Sequence, residues 1–351
     1  MSKLQILSIS ITNKCNLNCV YCGRNNFSVA KKEVSIGNII NAIEGAIPLG
    51  LHTVNVTGGE VLCREDIYDL FEFIIKKNLK LSIESNGTLI DSTVIEKFEQ
   101  YGENFSLSIS LDGIHSKTHD LTRGKGSYNK AISAIKLVSK SKIKNARVIT
   151  VLSNNNYYEI RELAETIYNN YNLGFRLLPD IIEYGKGKEA HNSYGVEYSK
   201  VKKLVDEFYF DFMKQDPKKI TIELPVALMP LEFEDQAKCS WGEAMLGIDS
   251  FGNIGLCHVS CNDECFKFGN INADKIQDIW FKNKKLKKFQ ELDPNRLKGV
   301  CGKCIAREWC RGGCRVYAIS KYGDFYAPDP QCQNIFEIGE FPSFALENEE
   351  C

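Results

Sequence analysis

The sequence predicts an α/β protein, a partial barrel of about six β/α units followed by a small cysteine-rich domain. Between Leu4 and about Leu178, short apolar strands alternate with amphipathic helical patterns, as in a parallel sheet or barrel. The units fall short of the eight that close a full barrel, so the expected sheet is open. From Cys239 onward the periodicity fades and Cys and Gly dominate, so metal is expected to hold that part together.

The strands read LSISIT, HTVNVT, LKLSIES, NFSLSIS, ARVITVL and GFRLLP. Between them lie the helical patterns IGNIINAIEGAI, IYDLFEFIIKK, STVIEKFEQYG, NKAISAIKLVSK and YYEIRELAETIYNNY. A connecting region follows, DIIEYGKGKEAHNSYG and then a helix near Glu197–Lys214. Three parts result: a barrel over residues 1–180, a connecting helical region over 181–238, and a cysteine-rich domain with a tail over 239–351.

At 351 residues the chain has ample length for a core, and its net charge of −1 gives no electrostatic reason to invoke nucleic acid or an anionic membrane. The basic run Lys282, Lys284, Lys285, Lys287 and Lys288 reads as a solvated helix face. No apolar stretch is long enough to span a bilayer and no signal peptide precedes the first strand, so a cytoplasmic location is expected. In a reducing cytosol its 14 cysteines read as metal ligands or reactive groups.

The segment ITNKCNLNCVYCGRNN places Cys15, Cys19 and Cys22 in the loop after the first strand. In a parallel barrel that loop faces the mouth, where chemistry is built. Three thiolates on a 4Fe–4S cubane leave one iron open. Structural zinc wants four protein ligands, though a triad can borrow a distant one, so spacing alone leaves zinc open.

Further motifs end successive strands. TGGE (Thr57–Glu60) follows the second, ESNGT with Ser85 and Asn86 the third, and SLDG with Ser110 and Asp112 the fourth; HDLTRG with Arg123 comes next. Together with CxxxCxxC and Tyr21 before its last Cys, this order resembles the radical S-adenosylmethionine superfamily over most of the first 180 residues. The resemblance implies that Gly58, Gly59 and Glu60 hold the methionine amino group. Glycines let backbone approach closely, and a carboxylate accepts from an ammonium. It further implies that Tyr21, Ser85 and Asn86 line the ligand, that Ser110 and Asp112 reach ribose hydroxyls or nearby groups, and that Arg123 binds the methionine carboxylate. Taken alone, Asp120 and Arg123 also read as a surface ion pair. The chemistry implied is reductive cleavage of S-adenosylmethionine to a 5′-deoxyadenosyl radical that takes a hydrogen from a substrate, with flavodoxin or ferredoxin as reductant.

The second half resembles the seven-cysteine SPASM extension of peptide- and protein-modifying radical enzymes. By that resemblance Cys239, Cys257 and Cys314 serve one auxiliary 4Fe–4S cluster, and Cys301, Cys304, Cys310 and Cys332 a second. A zinc ribbon is the plain alternative, but seven ligands do not divide into two fours. Cys63 reads as a small residue near the mouth, and Cys351 as a terminal thiol. Cys261 and Cys265, in CHVSCNDEC, are candidates for the missing ligand or for a catalytic hydrogen donor.

The leading expectation is a maturase that crosslinks, oxidises or epimerises a peptide or protein, with an oxidative crosslink favoured. The first cluster Cys is residue 15, so the leader-binding domain of many relatives is not expected, and a separate leader-peptide-binding protein or recognition of the core peptide takes its place. Sulfatase maturases usually place Asp after the second SPASM-motif Cys, where this chain has His258. A peptide epimerase, a sulfatase-maturase-like enzyme, a small-molecule radical dehydrogenase and a non-catalytic metal scaffold are the alternatives.

Overall fold

A computed structural model describes residues 3–23, 32–181, 183, 186–208, 211, 219–228, 239–261 and 263–347. Its strands are β1 (Ile6–Ser10), β2 (Thr53–Thr57), β3 (Lys80–Ser85), β4 (Phe105–Ser110), β5 (Asn145–Val151), β6 (Gly174–Leu178), β7 (Ile220–Ile222), β8 (Met245–Ile248), β9 (Asn253–Gly255) and β10 (Gly269–Asn270). Among the described residues they form one sheet in the order β10-β9-β8-β1-β2-β3-β4-β5-β6-β7. All neighbours from β8 to β7 pair parallel, while β9 and β10 are added antiparallel.

Alternation gives the sheet two unlike faces. Leu7, Ile9, Val54, Val56, Leu81, Ile83, Leu107, Ile109 and Val148 are buried and point one way. Helices Ile36–Ala46, Ile67–Lys76, Ser92–Glu99 and Ser127–Ser139 contribute the apolar stripes of the same core. Phe71, Phe98, Tyr101 and Phe105 stack edge-on or tilted within it. The opposite face is polar: Ser8, Asn55, Ser82, Ser106 and Asn145 lie in register across five adjacent strands. A row of small polar side chains leaves room for a ligand on that face.

The six strands read from sequence are β1 to β6. The sheet itself also ties the C-terminal part to the barrel. β8 lies beside β1, extending the sheet across the 180/239 division, and β7 adds at the far edge. These strands are too short to leave a periodic signal. The C-terminal part also has an apolar core of its own, in which Phe266, Phe268, Trp241 and Phe325 pack around Phe289. The connecting helix is Tyr198–Phe208, Glu197 lies just before it, and residues 209–210 and 212–214 of the expected 197–214 helix lie outside the described residues. A helix not expected from sequence, Ser116–Arg123, precedes Ser127–Ser139 between β4 and β5.

β8 can approach the chain after β9 only because residue 247 is glycine. A Cβ on Gly247 would lie 2.0 Å from the carbonyl carbon of Cys257. Gly247→Ala is expected to destabilise the fold by about 1–3 kcal/mol through overpacking, read as a lower denaturant midpoint. An unchanged midpoint would place the Cys257 loop elsewhere.

Candidate active site and thiol clusters

The loop after β1 is held by backbone contacts to the loop after β2. Gly59 N–H donates to the Thr12 carbonyl at 2.6 Å and Glu60 N–H to the Lys14 carbonyl at 2.9 Å. Gly58 has φ +145°, and a Cβ there would lie 2.6 Å from the Thr12 carbonyl oxygen, so the first glycine of TGGE is a steric requirement. On the other side, Thr12 Oγ1 and Asn13 N–H donate to the Glu33 carboxylate, a residue that no motif marked.

Glu60 has no exposed surface. Its carboxylate accepts from Ser85 Oγ at 2.8 Å, Asn86 N–H at 2.7 Å and Leu62 N–H at 3.3 Å. It therefore ties the ends of β2 and β3 together. Asn86 Nδ2 donates to Asn16 Oδ1 at 2.9 Å and lies 3.9 Å from Cys15 Sγ, so the ESNGT loop reaches the cysteine loop.

Asp112 and Arg123 pair with one another. Asp112 is 1 % exposed. It accepts from Arg123 Nε at 2.6 Å and Nη2 at 3.2 Å, from Val151 N–H at 3.1 Å and from Tyr21 Oη. Arg123 is spent on Asp112 rather than on Asp120, whose carboxylate instead accepts from Gly126 and Tyr128 N–H. Burial raises the Asp112 pKa, but the Arg123 charge and its hydrogen bonds outweigh that and hold it below the ordinary carboxylate range. His119, pushed down to about 4 by burial, is neutral and accepts the Asp112 N–H at Nδ1. Val20 N–H donates to the Thr122 carbonyl at 2.9 Å, so helix Ser116–Arg123 clamps the cysteine loop through both Val20 and Tyr21. Ser110 ends β4 half-buried.

The thiols fall into three groups. Cys15, Cys19 and Cys22 lie within mutual electrostatic reach; burial pushes Cys19 up to about 11 while Arg123 pulls it down. Cys239, Cys257 and Cys314 form a second group, the last pushed up to about 12 by burial. Cys301, Cys304, Cys310 and Cys332 line one cavity with Ala227, Val300 and Phe341. Among the described residues, no three Cys, His, Asp or Glu side chains converge as a single metal ion requires. A cubane spreads its thiolates over a larger cage than one zinc ion does. The all-thiol donor sets fit iron–sulfur clusters, and loading the two C-terminal groups must release the protons that burial keeps on Cys239, Cys257, Cys314, Cys301, Cys304, Cys310 and Cys332.

Local bonds set the C-terminal groups. Trp241 Nε1 donates to the Gly313 carbonyl at 2.9 Å, bringing the Cys239 segment against the turn that carries Cys310 and Cys314. Asp329 accepts from the Cys314 and Cys332 amides, and its own N–H donates to Cys301 Sγ at 3.3 Å. His258, beside Cys257, reaches the polar face of the sheet, where its Nδ1 is 2.7 Å from Ser8 Oγ.

The two candidate catalytic thiols differ in exposure. Cys261 has no exposed surface, and its Sγ donates to the Cys257 carbonyl at 3.2 Å, as a packed core thiol does. Cys265 is exposed in a turn with Asp263 and Lys285 near it. Cys63 lies in the turn Val61–Cys63 directly after Glu60. Cys351 lies outside the described residues.

Residues 9–167 match the Radical SAM superfamily, and residues 239–305 match SPASM, an iron–sulfur cluster-binding domain. The AdoMet-dependent heme synthase of Methanosarcina barkeri is 27 % identical over 93 % of this chain and 96 % of that protein. The antilisterial bacteriocin subtilosin biosynthesis protein AlbA of Bacillus subtilis is 27 % identical over 89 % of this chain and 67 % of its own length. In fold the chain is similar to Streptococcus suis SuiB bound to the precursor peptide SuiA, with a TM-score of 0.75 at 20 % identity over 95 % of this chain and 76 % of that one.

Proposed function

The chain belongs to the radical SAM superfamily and carries a SPASM iron–sulfur domain, and from that premise we propose that it is a peptide maturase making an oxidative crosslink or a related modification. S-adenosylmethionine and the 4Fe–4S clusters supply a 5′-deoxyadenosyl radical that takes a hydrogen from the substrate. The chain's own residues supply position and exclusion of water. Cys15, Cys19 and Cys22 hold the first cluster. Backbone of Gly58 and Gly59, with Glu60, Ser85 and Asn86 behind it, forms the seat for the amino acid end of the ligand. Tyr21, Asp112 and Arg123 fix the cysteine loop against that seat, and Ser110 with the polar row from Ser8 to Asn145 faces the substrate.

The observation that carries this reading is the pair of C-terminal thiol groups, one of three and one of four around a single cavity. A peptide maturase that forms an oxidised product needs an exit for an electron, and two auxiliary clusters provide it. AlbA, a bacteriocin biosynthesis protein, and the likeness to SuiB support it. In the same reading the barrel spans 1–180, the connecting region 181–238 and the auxiliary-cluster domain 239–351. A flavodoxin or ferredoxin delivers the electron in the cytoplasm, and a separate protein presents the leader. Among the described residues no helix is long and apolar enough to cross a membrane.

The heme synthase relative, matched along nearly its whole length, favours a second reading in which the substrate is a heme precursor. One anaerobic assay separates them. The reconstituted protein, S-adenosylmethionine and reductant are offered short peptides encoded beside its gene, in deuterium oxide, and a heme precursor in parallel. The expected product is a peptide lighter by two hydrogens. A peptide of unchanged mass with one solvent deuterium would mean epimerisation, and turnover of the heme precursor alone would overturn the maturase reading.

A further inference from the structure

The side chain of Arg315 has no exposed surface, yet no carboxylate lies within ion-pair distance of it among the described residues. Its guanidinium donates only to main-chain carbonyls, those of Gly312, Phe325 at 3.3 Å and Ala327 at 2.7 Å, and its Nε has no partner. The buried Asp329 is committed elsewhere, to the amides of Cys314, Gln331 and Cys332. A fully buried cation with no bonded carboxylate is costly; Asp329 acts on its charge from beyond ion-pair distance while its oxygens serve amides, and a further anion beside the guanidinium would lower that cost.

The location says which anion. Gly312, whose carbonyl Arg315 holds, lines the cavity of Cys301, Cys304, Cys310 and Cys332. Arg315 also follows Cys314 directly in sequence, at the start of the helix Arg315–Tyr322 that Cys314 caps. The guanidinium thus stands behind one wall of the four-thiol cavity and next to a ligand of the three-thiol group. Cys301, Asp329, Cys314 and Cys310 all act on its charge, Cys301 most of the four.

We propose that Arg315 is the shared counter-ion of the two auxiliary clusters and raises the reduction potential of both. The proposal rests on the two-cluster reading of the SPASM domain. Each thiolate-ligated cluster is anionic, and one-electron reduction makes it more so. A fixed buried cation stabilises the reduced form, which raises the potential; net charge and the surroundings of the sulfurs are the protein's means of setting it.

The test is a redox titration followed by electron paramagnetic resonance on the full chain with all sites reconstituted. Wild-type iron content is measured first. If it falls short of about three cubanes, the cluster reading fails, and that failure is separate from any result on Arg315. With the sites filled, Arg315→Gln is expected to lower the ratio of reduced to oxidised cluster at least tenfold, at a fixed poise, for both auxiliary signals. That corresponds to about 59 mV for one electron. The cluster on Cys15, Cys19 and Cys22 should keep its potential, and Arg315→Lys should stay near wild type. Arg315→Met supplies the uncharged contrast if Gln does not fill the site. If both neutral variants fail to load the auxiliary sites while Lys loads them, charge is required and the proposal stands. Equal shifts in Lys and Gln, a shift at one cluster only, or no shift would overturn it.

Discussion

Replacing Cys15, Cys19 and Cys22 together by alanine is expected to reduce cleavage of S-adenosylmethionine to background while about two-thirds of the reconstituted iron remains. The three thiols act on one another and sit in one loop after β1, and none of them acts on the C-terminal thiols. Loss of their cluster should therefore leave the others filled, because β8 to β10 and the aromatic core around Phe289 do not depend on the loop. Iron should fall from roughly 12 to roughly 8 per chain. The reverse experiment replaces Cys301, Cys304, Cys310 and Cys332, which should cost about four irons and leave reductive cleavage in place. Retained cleavage in the first variant, or tightly bound zinc with negligible iron in the wild type, would sink the assignment.

The barrel was legible because its first six strands are short apolar stretches between helical patterns, the first four of them ended by a polar or cysteine motif, a pattern that length and period carry unaided. The extension of the sheet was not. β7 and β8 are three and four residues long, and β8 finds its place beside β1 through Gly247, whose need for close approach is visible only once Cys257 lies against it. Helix Ser116–Arg123 was hidden for a related reason: its buried residues are Thr118, His119, Thr122 and Arg123, so it has no apolar stripe to read.

For the site, the cysteine spacings marked all three thiol groups because ligand spacing is a local property. Motif order also drew attention to Glu60, Asp112 and Arg123. What each carboxylate touches is a long-range fact, however. Glu60 is taken by Ser85 and Asn86, 25 and 26 residues on, and Asp112 by Arg123 and Tyr21. The residues that sequence reasoning missed are of the same kind. Glu33, Thr122, His119 and Arg315 act through main-chain groups or buried partners, and no spacing announces them.

Arg123→Ala is expected to destabilise the protein by about 3–5 kcal/mol, because it leaves the Asp112 carboxylate buried and uncompensated. The motif alone leads to a milder result, weaker binding of S-adenosylmethionine with unchanged iron. The structure requires more. The two side chains are 9 % and 1 % exposed, so solvent does little to screen the pair. Arg123 also lies over the Tyr21 ring at 5.6 Å, so its loss should loosen the segment between Cys19 and Cys22 and reduce iron at that site. The pH dependence follows from the sign of the shift. Asp112 has a folded-state pKa below its unfolded value, so its contribution is full above the ordinary carboxylate range and disappears as pH falls through the lowered pKa. Wild type should thus lose stability relative to Arg123→Ala on acidification, and their denaturant midpoints should converge. Adding Asp112→Asn to Arg123→Ala should recover much of the lost stability at neutral pH, since the unpaired charge is gone. Iron at the first site should not return with it, because Tyr21 has lost the carboxylate that oriented it. Near-wild-type midpoints for Arg123→Ala at neutral pH would show that the pair does not brace the cysteine loop.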